Sequence, residues 1–385
     1  MNILIEGWRN INHSYALVNQ WQIYELIKSS NISFKDVSFS NENWNPQRND
    51  SGLRDEVKNI INKIPLPSDD INYDITYRIS APFNFDKKFN SKVVFVFATS
   101  EYKNNLIKSD YTNGDPTQLR KEKNFFIHTP SNWSKKSFLT AGFRDDQIIV
   151  VPHGVDIETF NLISESEKKN IRDKYKIKSD DFVLANIGAM FQNKGVEDLI
   201  AAYGILKKKN KNLKLILKDQ SNLYDRNANS PIKNMQSSKF NQKYQIFNEQ
   251  MYNDIIIISE NLNFHELRNI YSITDCYVSP YKAEGFNITP LEAAACGTQI
   301  VVTNGGPTDD YFDECMGFKI ESEEKNLNNN IYLAPKINSL IEILNSVVNK
   351  TDSKKRARSK LVHENFSWEN VVKKLKKEFE KKLSK

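Results

Sequence analysis

Short apolar runs alternate along this chain with longer stretches whose apolar residues recur every three or four positions. The runs fall at residues 2–5, 71–79, 91–98, 124–129, 147–151, 182–187, 213–217 and 255–258. Some, such as Val93-Val94-Phe95-Val96-Phe97-Ala98, are continuously apolar, as in parallel strands covered on both faces. Helical spacing is expected over Tyr15–Ser29, through Ala16, Leu17, Trp21, Tyr24, Leu26 and Ile27, and over Leu262–Ile273, with Leu267 and Ile270 inward. Ser131 is placed to cap a helix over Lys135–Ala141, and another helix runs to about Lys207. The strand–helix alternation occurs in two successive sets, which predicts two Rossmann-like halves. After the first strand stands Gly7-Trp8-Arg9-Asn10-Ile11-Asn12-His13-Ser14 and not G-x-G-x-x-G, so no nicotinamide or flavin site is expected.

A chain of 385 residues exceeds what one core usually supports, and a 39% hydrophobic share is ample for two. The net charge of +6 is a lysine excess too dispersed to argue for nucleic acid. Cys276, Cys296 and Cys315 are odd in number and lack metal-ligand spacing, which suits a reducing compartment. Met1-Asn2-Ile3-Leu4-Ile5-Glu6 does not read as a signal peptide, and no segment approaches the ~20 apolar residues of a bilayer span. A cytoplasmic protein is expected. Asn41–Gly52 reads as a mobile segment, and Gln220–Met251, rich in Asn, Gln, Ser and Lys, as an insertion longer than a normal loop. The C-terminal helix carries Val371, Val372, Leu375, Phe379 and Leu383 on one stripe behind Ser367 as N-cap. Its lysine face offers a peripheral contact with an anionic membrane.

The chemistry concentrates in Tyr281-Lys282-Ala283-Glu284-Gly285-Phe286-Asn287-Ile288-Thr289-Pro290-Leu291-Glu292-Ala293-Ala294-Ala295-Cys296-Gly297, a loop that turns into a helix. Thr289 is expected as N-cap, Pro290 as first helical residue, Glu292 as the partner completing a capping box, and Gly297 as the stop. Such a helix start aims backbone N–H groups and about +0.5 of a charge beyond Gly285–Thr289, where an anion such as phosphate is favoured. The sequon Asn287-Ile288-Thr289 lies inside this stretch, where a glycan would block it.

Glu284 and Glu292, with seven residues between them around Gly285-Phe286, resemble the signature of the retaining nucleotide-sugar glycosyltransferases of family 4. Other stretches carry the same resemblance. They are Gln299-Ile300-Val301-Val302-Thr303-Asn304-Gly305-Gly306, Pro130-Ser131-Asn132-Trp133-Ser134, Val151-Pro152-His153-Gly154-Val155-Asp156, Lys194-Gly195, and Phe366-Ser367-Trp368 before the last helix. The resemblance implies an α/β GT-B fold: two Rossmann-like domains facing a cleft, with the C-terminal helix crossing back to the first. Expected boundaries are 1–158 plus 368–385 for an acceptor-side domain and 159–367 for a nucleotide-sugar domain.

The resemblance also implies roles. Glu284 would contact donor-sugar hydroxyls and Glu292 the ribose. Lys194 and the amides of Gly285, Phe286, Asn287, Ile288 and Thr289 would hold the diphosphate. Two features depart from the family. Ala189 stands where it has a second cation, an arginine, and Ala98-Thr99-Ser100-Glu101-Tyr102 lacks its histidine. Lys218 is the candidate substitute cation, its alternative being an exposed strand-end lysine. Arg9, Asn12, His13 and His128 are candidates for the acceptor or cleft side, with helix capping as the other reading of His13. The insertion is expected to cover the nucleotide or meet an acceptor. No Asp-x-Asp motif occurs, so neither metal nor cofactor is expected. The implied activity is transfer of a sugar to a hydroxyl on a glycan, lipid-linked or small-molecule acceptor, as in surface-glycan synthesis. A GT-B epimerase or phosphorylase, or a sugar-nucleotide-binding protein without turnover, is the alternative.

Overall fold

The computed structural model describes residues 1–38, 52–88, 90–103, 112–348 and 350–384; the expected mobile segment, except Gly52, lies outside them. The chain forms two compact units, Met1–Gly154 with Asn326–Ile331 and Asn365–Lys385, and Val155–Lys325 with Tyr332–Glu364.

The first unit runs β1 (Asn2–Gly7), α1 (Ser14–Leu26), β2 (Asn31–Asp36), α2 (Asp55–Asn62), β3 (Tyr73–Ile79), β4 (Phe83–Asn84), β5 (Ser91–Phe97), β6 (Thr112–Asn113), β7 (Phe125–Thr129), α3 (Asn132–Thr140) and β8 (Ile148–Val150). Six strands form a parallel sheet in the order β2-β1-β3-β5-β7-β8, and β4 pairs with β6 apart from it. The continuous apolar run of β5 is buried from Val93 through Phe97, as a strand covered on both faces requires. Ser131 caps α3 by accepting from the Ser134 N–H at 3.1 Å.

The second unit begins with α4 (Glu165–Lys174), β9 (Phe182–Ile187), α5 (Val196–Lys207) and β10 (Leu213–Lys218). Then come α6 (Ser221–Tyr224), α7 (Asn229–Gln236), α8 (Lys239–Tyr244), α9 (Glu249–Asn253), β11 (Ile255–Ile258), α10 (Phe264–Ile273), β12 (Cys276–Ser279), α11 (Ile288–Ala295), β13 (Gln299–Thr303) and β14 (Gly317–Ile320). The chain continues through a two-stranded sheet of β15 (Ser322–Leu327) and β16 (Asn330–Pro335), whose residues 326–331 belong to the first unit. It ends the second unit with α12 (Ile337–Val347) and α13 (Lys355–Phe366), whose last two residues begin the return to the first unit. The parallel sheet has the order β11-β10-β9-β12-β13-β14. It grows one way from β9 and the other way from β12, so the strand order reverses between them. In open α/β sheets the crevice beyond the carboxyl ends of such a pair is where ligands sit.

The insertion is not a loop. It folds into α6–α9 and buries Ile232, Met235, Ile246 and Met251 in the same core as Leu199, Tyr203 and Leu206 of α5. Gly204 makes room for this: a Cβ there would lie 2.7 Å from the Ile246 Cβ. These anchors, irregularly spaced among polar residues, leave no helical period for the sequence to show.

The last helix, α14 (Trp368–Leu383), belongs to the first unit. Ser367 caps it, accepting from the Asn370 N–H at 3.3 Å. Phe379 meets Phe95 and Tyr77 with ring centroids 4.5 and 5.6 Å away, and Trp368 stacks on Trp21 at 6.4 Å. Val371, Val372, Leu375 and Phe379 are buried, so this part of the apolar stripe is used in packing. Lys382 turns inward too, donating to the Asp146 carbonyl at 2.7 Å, while the other lysines share the outer face with glutamates.

Candidate functional site

Two loops leave the point where the strand order reverses, one after β9 and one after β12. The first starts at Gly188, φ +148°, where a Cβ would find no atom within 4 Å. It then makes a turn over Gln192–Lys194 that closes on Gly195, φ +67°. A Cβ on Gly195 would overlap the Pro280 carbonyl oxygen and lie 2.7 Å from its carbon, so only glycine lets the two loops lie together. Asn193 then fastens them. Its carbonyl accepts from the Lys282 and Ala283 N–H groups at 2.6 and 3.3 Å, and its Nδ2 donates to the Ala283 carbonyl at 3.0 Å. Across this seam the Lys194 ammonium donates to Glu284 Oε1 at 2.5 Å, with the Lys194 side chain 26% exposed and that of Glu284 9%. Lys194 and Glu284, expected in separate roles on the diphosphate and the sugar, are thus brought into direct contact.

The motif helix begins earlier than expected. Asn287, left-handed at φ +66°, is the N-cap and makes no side-chain cap bond, so the capping box between Thr289 and Glu292 does not form and Pro290 is the third helical residue. Two buried tyrosines take the Glu292 and Thr289 side chains instead, and two more brace the main chain and a hydroxyl nearby. Tyr271 donates to Glu292 Oε2 at 2.8 Å, Tyr277 to Thr289 Oγ1 at 2.7 Å, and Tyr311 to the Asn287 carbonyl at 2.7 Å. Tyr281 reaches the Thr303 carbonyl at 3.1 Å and Thr308 Oγ1 at 2.8 Å. A carboxylate or hydroxyl inside a core must find a partner, and the phenols outcompete the local cap. The sequence signal for them is weak, a phenol within otherwise apolar runs. Gly297, φ +79°, does stop the helix: its N–H bonds to the Ala294 carbonyl and that of Thr298 to the Ala293 carbonyl, both at 2.9 Å.

Burial pushes the Glu292 carboxyl up to about 8, opposed by the Tyr271 hydrogen bond and reinforced by Asp156. Lys218 is not an exposed strand-end lysine. It lies opposite Ile187 in register, is buried, and donates to the Asp219 carbonyl. Burial lowers its pKa, with Asp219 and Glu260 acting against the shift. Gly285 and Phe286 lead to Asn287, the N-cap, and Ile288 and Thr289 are the first two residues of α11.

The candidates in the first unit have structural partners. Arg9 grips Asp36 through Nε and Nη2 at 3.0 and 2.7 Å, donates to the Ile61 carbonyl at 3.2 Å and lies 4.6 Å over Phe34. His13 caps α1, its Nδ1 accepting from the Tyr15 N–H at 3.1 Å, and half-buried Asn12 precedes it. His128 lies between the Tyr77 hydroxyl at 2.8 Å and the Val151 carbonyl at 3.1 Å. Burial lowers His13 to about 3 and His128 to about 4, so both are neutral near pH 7. The capping reading of His13 is the one the structure shows. Among the described residues no group of three or more His, Cys, Asp or Glu is placed to hold a metal ion, and no helix is long and apolar enough to cross a membrane.

Residues 167–358 match the family model for glycosyl transferases group 1. The chain belongs to the group 1 glycosyltransferases. An uncharacterised glycosyltransferase of Methanocaldococcus jannaschii is 26% identical over 294 residues, which cover 74% of this chain and 66% of that protein. The capsular polysaccharide biosynthesis glycosyltransferase CapM of Staphylococcus aureus is 26% identical over 196 residues, 50% of this chain and 44% of CapM. The matches thus span from under half to about two thirds of these curated relatives. The solved structure of HepE from Anabaena in complex with UDP-glucose has a TM-score of 0.63 at 14% identity, covering 100% of this chain and 99% of that one. That likeness gives this group 1 chain its fold, an α/β GT-B architecture of parallel sheets.

Proposed function

We propose that this group 1 glycosyltransferase moves a sugar from a nucleotide-diphosphate sugar to a hydroxyl acceptor, with retention of anomeric configuration and without a metal. The observation that carries the reading is the Lys194–Glu284 pair, locked beside the entry to α11 at the reversal of strand order. In this reading the α11 entry, Gly285 to Thr289, meets the diphosphate with its N–H groups and about half a positive charge. Lys194 adds a cation, since an ammonium has three donors and can serve a carboxylate and phosphate oxygens together. Glu284 orients the sugar, and Glu292, steadied by Tyr271, takes the ribose hydroxyls.

Transfer then needs no protein nucleophile. The bond from the anomeric carbon to the diphosphate oxygen breaks as the bond to the acceptor oxygen forms on the same face. The departing phosphate oxygen takes the acceptor's proton, and Lys194 and the helix dipole stabilise the charge left behind. HepE bound to UDP-glucose supports a nucleotide-sugar donor, and CapM of capsular polysaccharide biosynthesis supports a glycan acceptor, as in surface-glycan synthesis.

The test is thermal-shift binding against UDP-, GDP-, ADP-, CMP- and dTDP-sugars, with Lys194→Ala beside the wild type. One class should stabilise the wild type and not the variant, and NMR of the product formed from that donor should show the donor's anomeric configuration. No shift with any of them refutes the reading. A donor-binding protein without turnover is a second reading, favoured by uncharged Ala189 and by the engagement of the Lys218 amine with a main-chain carbonyl. Turnover with any acceptor removes it.

A further inference from the structure

A diphosphate ester brings two negative charges, and the cations so far described do not balance them. Lys194 and Glu284 sum to zero, the α11 entry offers about half a charge, and the Lys218 amine is buried against Asp219. Another cation stands at the same loop. Arg226, in the insertion between α6 and α7, holds its Cζ 4.9 Å from the ring centroid of Phe191. That ring is also met edge-on by Tyr224, at 5.5 Å and 69°. Phe191 belongs to the turn that carries Lys194, its carbonyl accepting from the Lys194 N–H at 3.0 Å. Arg226 is exposed, and its guanidinium has no hydrogen bond or ion pair among the described residues; the aromatic face is its anchor.

We propose that Arg226 is a second diphosphate-binding cation of the donor site, brought to the β9 loop by the insertion and held ready on Phe191. The proposal rests on the donor reading above and deepens it. A guanidinium fits this task because its planar fork meets two phosphate oxygens at once and stays charged at every working pH. The stack on Phe191 limits the conformations Arg226 must give up on binding, and a surface cation–π contact is weak enough to be exchanged for phosphate. The insertion then has a chemical task that its polar composition did not reveal.

The experiment titrates wild type, Arg226→Ala, Arg226→Lys and Lys194→Ala with UDP and UMP, GDP and GMP, ADP and AMP, and dTDP and dTMP at low and moderate salt. Expected is a wild type that prefers one diphosphate, and an Arg226→Ala variant that melts like wild type but binds that diphosphate about tenfold or more weakly. Its affinity for the monophosphate should change little, its salt dependence should flatten, and Arg226→Lys should recover part of the loss. Unchanged diphosphate affinity in Arg226→Ala, alongside loss in Lys194→Ala, overturns the role of Arg226 and leaves the donor site standing. Equal loss for mono- and diphosphates also overturns it, because the contact is then not with the outer phosphate. A folded wild type that binds none of the diphosphates overturns both readings.

Discussion

Replacing Gly195 by alanine tests whether the two loops at the strand reversal are locked by close approach. Gly305 supplies the control, since it too has positive φ, +88°, but its Cβ would first meet Leu333 Cδ2 at 3.6 Å. Either substitution places alanine in the left-handed region, at about 1–2 kcal/mol. At Gly195 the methyl also collides with the Pro280 carbonyl, whose oxygen and carbon are main chain and cannot swing aside as a side chain would. The loops must part by about an ångström, which strains or breaks the bonds from Asn193 to Lys282 and Ala283, each contributing about 1 kcal/mol. The sum is about 3–4 kcal/mol for Gly195→Ala, or roughly 10 °C in melting temperature for a unit of this size. A shift of that size between Lys194 and Glu284 should lower transfer on the order of a hundredfold, whereas Gly305→Ala keeps the pair intact. Differential scanning fluorimetry and donor titration of the two variants decide it. Equal melting temperatures and wild-type donor affinity in Gly195→Ala would refute the argument.

Other perturbations separate the remaining roles. Lys194→Ala leaves the Glu284 carboxylate buried without its cation and should cost about 3 kcal/mol in urea unfolding; Glu284→Gln should cost less, and the double variant should regain part of the loss, whereas strict additivity would show that the two do not interact. Glu284→Ala should abolish transfer while the protein stays folded and still binds free nucleotide; near-normal turnover would remove Glu284 from the mechanism. Because burial holds the folded Glu292 carboxyl near 8 against an ordinary 4.5, the folded state binds the extra proton between those values. Stability from this group is therefore full below about pH 4.5 and falls as pH rises to 8, by about 3 kcal/mol at pH 7. Glu292→Gln should flatten that slope in pH-dependent melting, and an unchanged slope would mean Glu292 is not its source. EDTA should leave transfer intact, and a strict need for Mg²⁺ or Mn²⁺ would contradict the metal-free mechanism.

What the sequence alone determined is what neighbouring residues settle among themselves. Continuous apolar runs became the parallel strands, since only a strand covered on both faces is apolar throughout. Ser131 and Ser367 cap their helices and Gly297 ends α11, because a cap lies within three residues of the groups it satisfies. The resemblance around Glu284 and Lys194 singled out two loops for the same reason, as a contiguous motif on each. Tertiary structure decided which partner each side chain takes. Glu292 has the spacing of a capping-box acid, yet a phenol 21 residues away claims it. His13 and His128 became neutral structural groups, and Lys218 went inside, through burial that no local pattern reports. The contact of Lys194 with Glu284, and the fastening by Asn193 beside it, join residues 90 apart. Arg226 reaches Phe191 because scattered apolar residues fold the insertion onto α5. Caps and strands are read from local periods, whereas the charge balance of the site depends on which distant groups the packed core brings together.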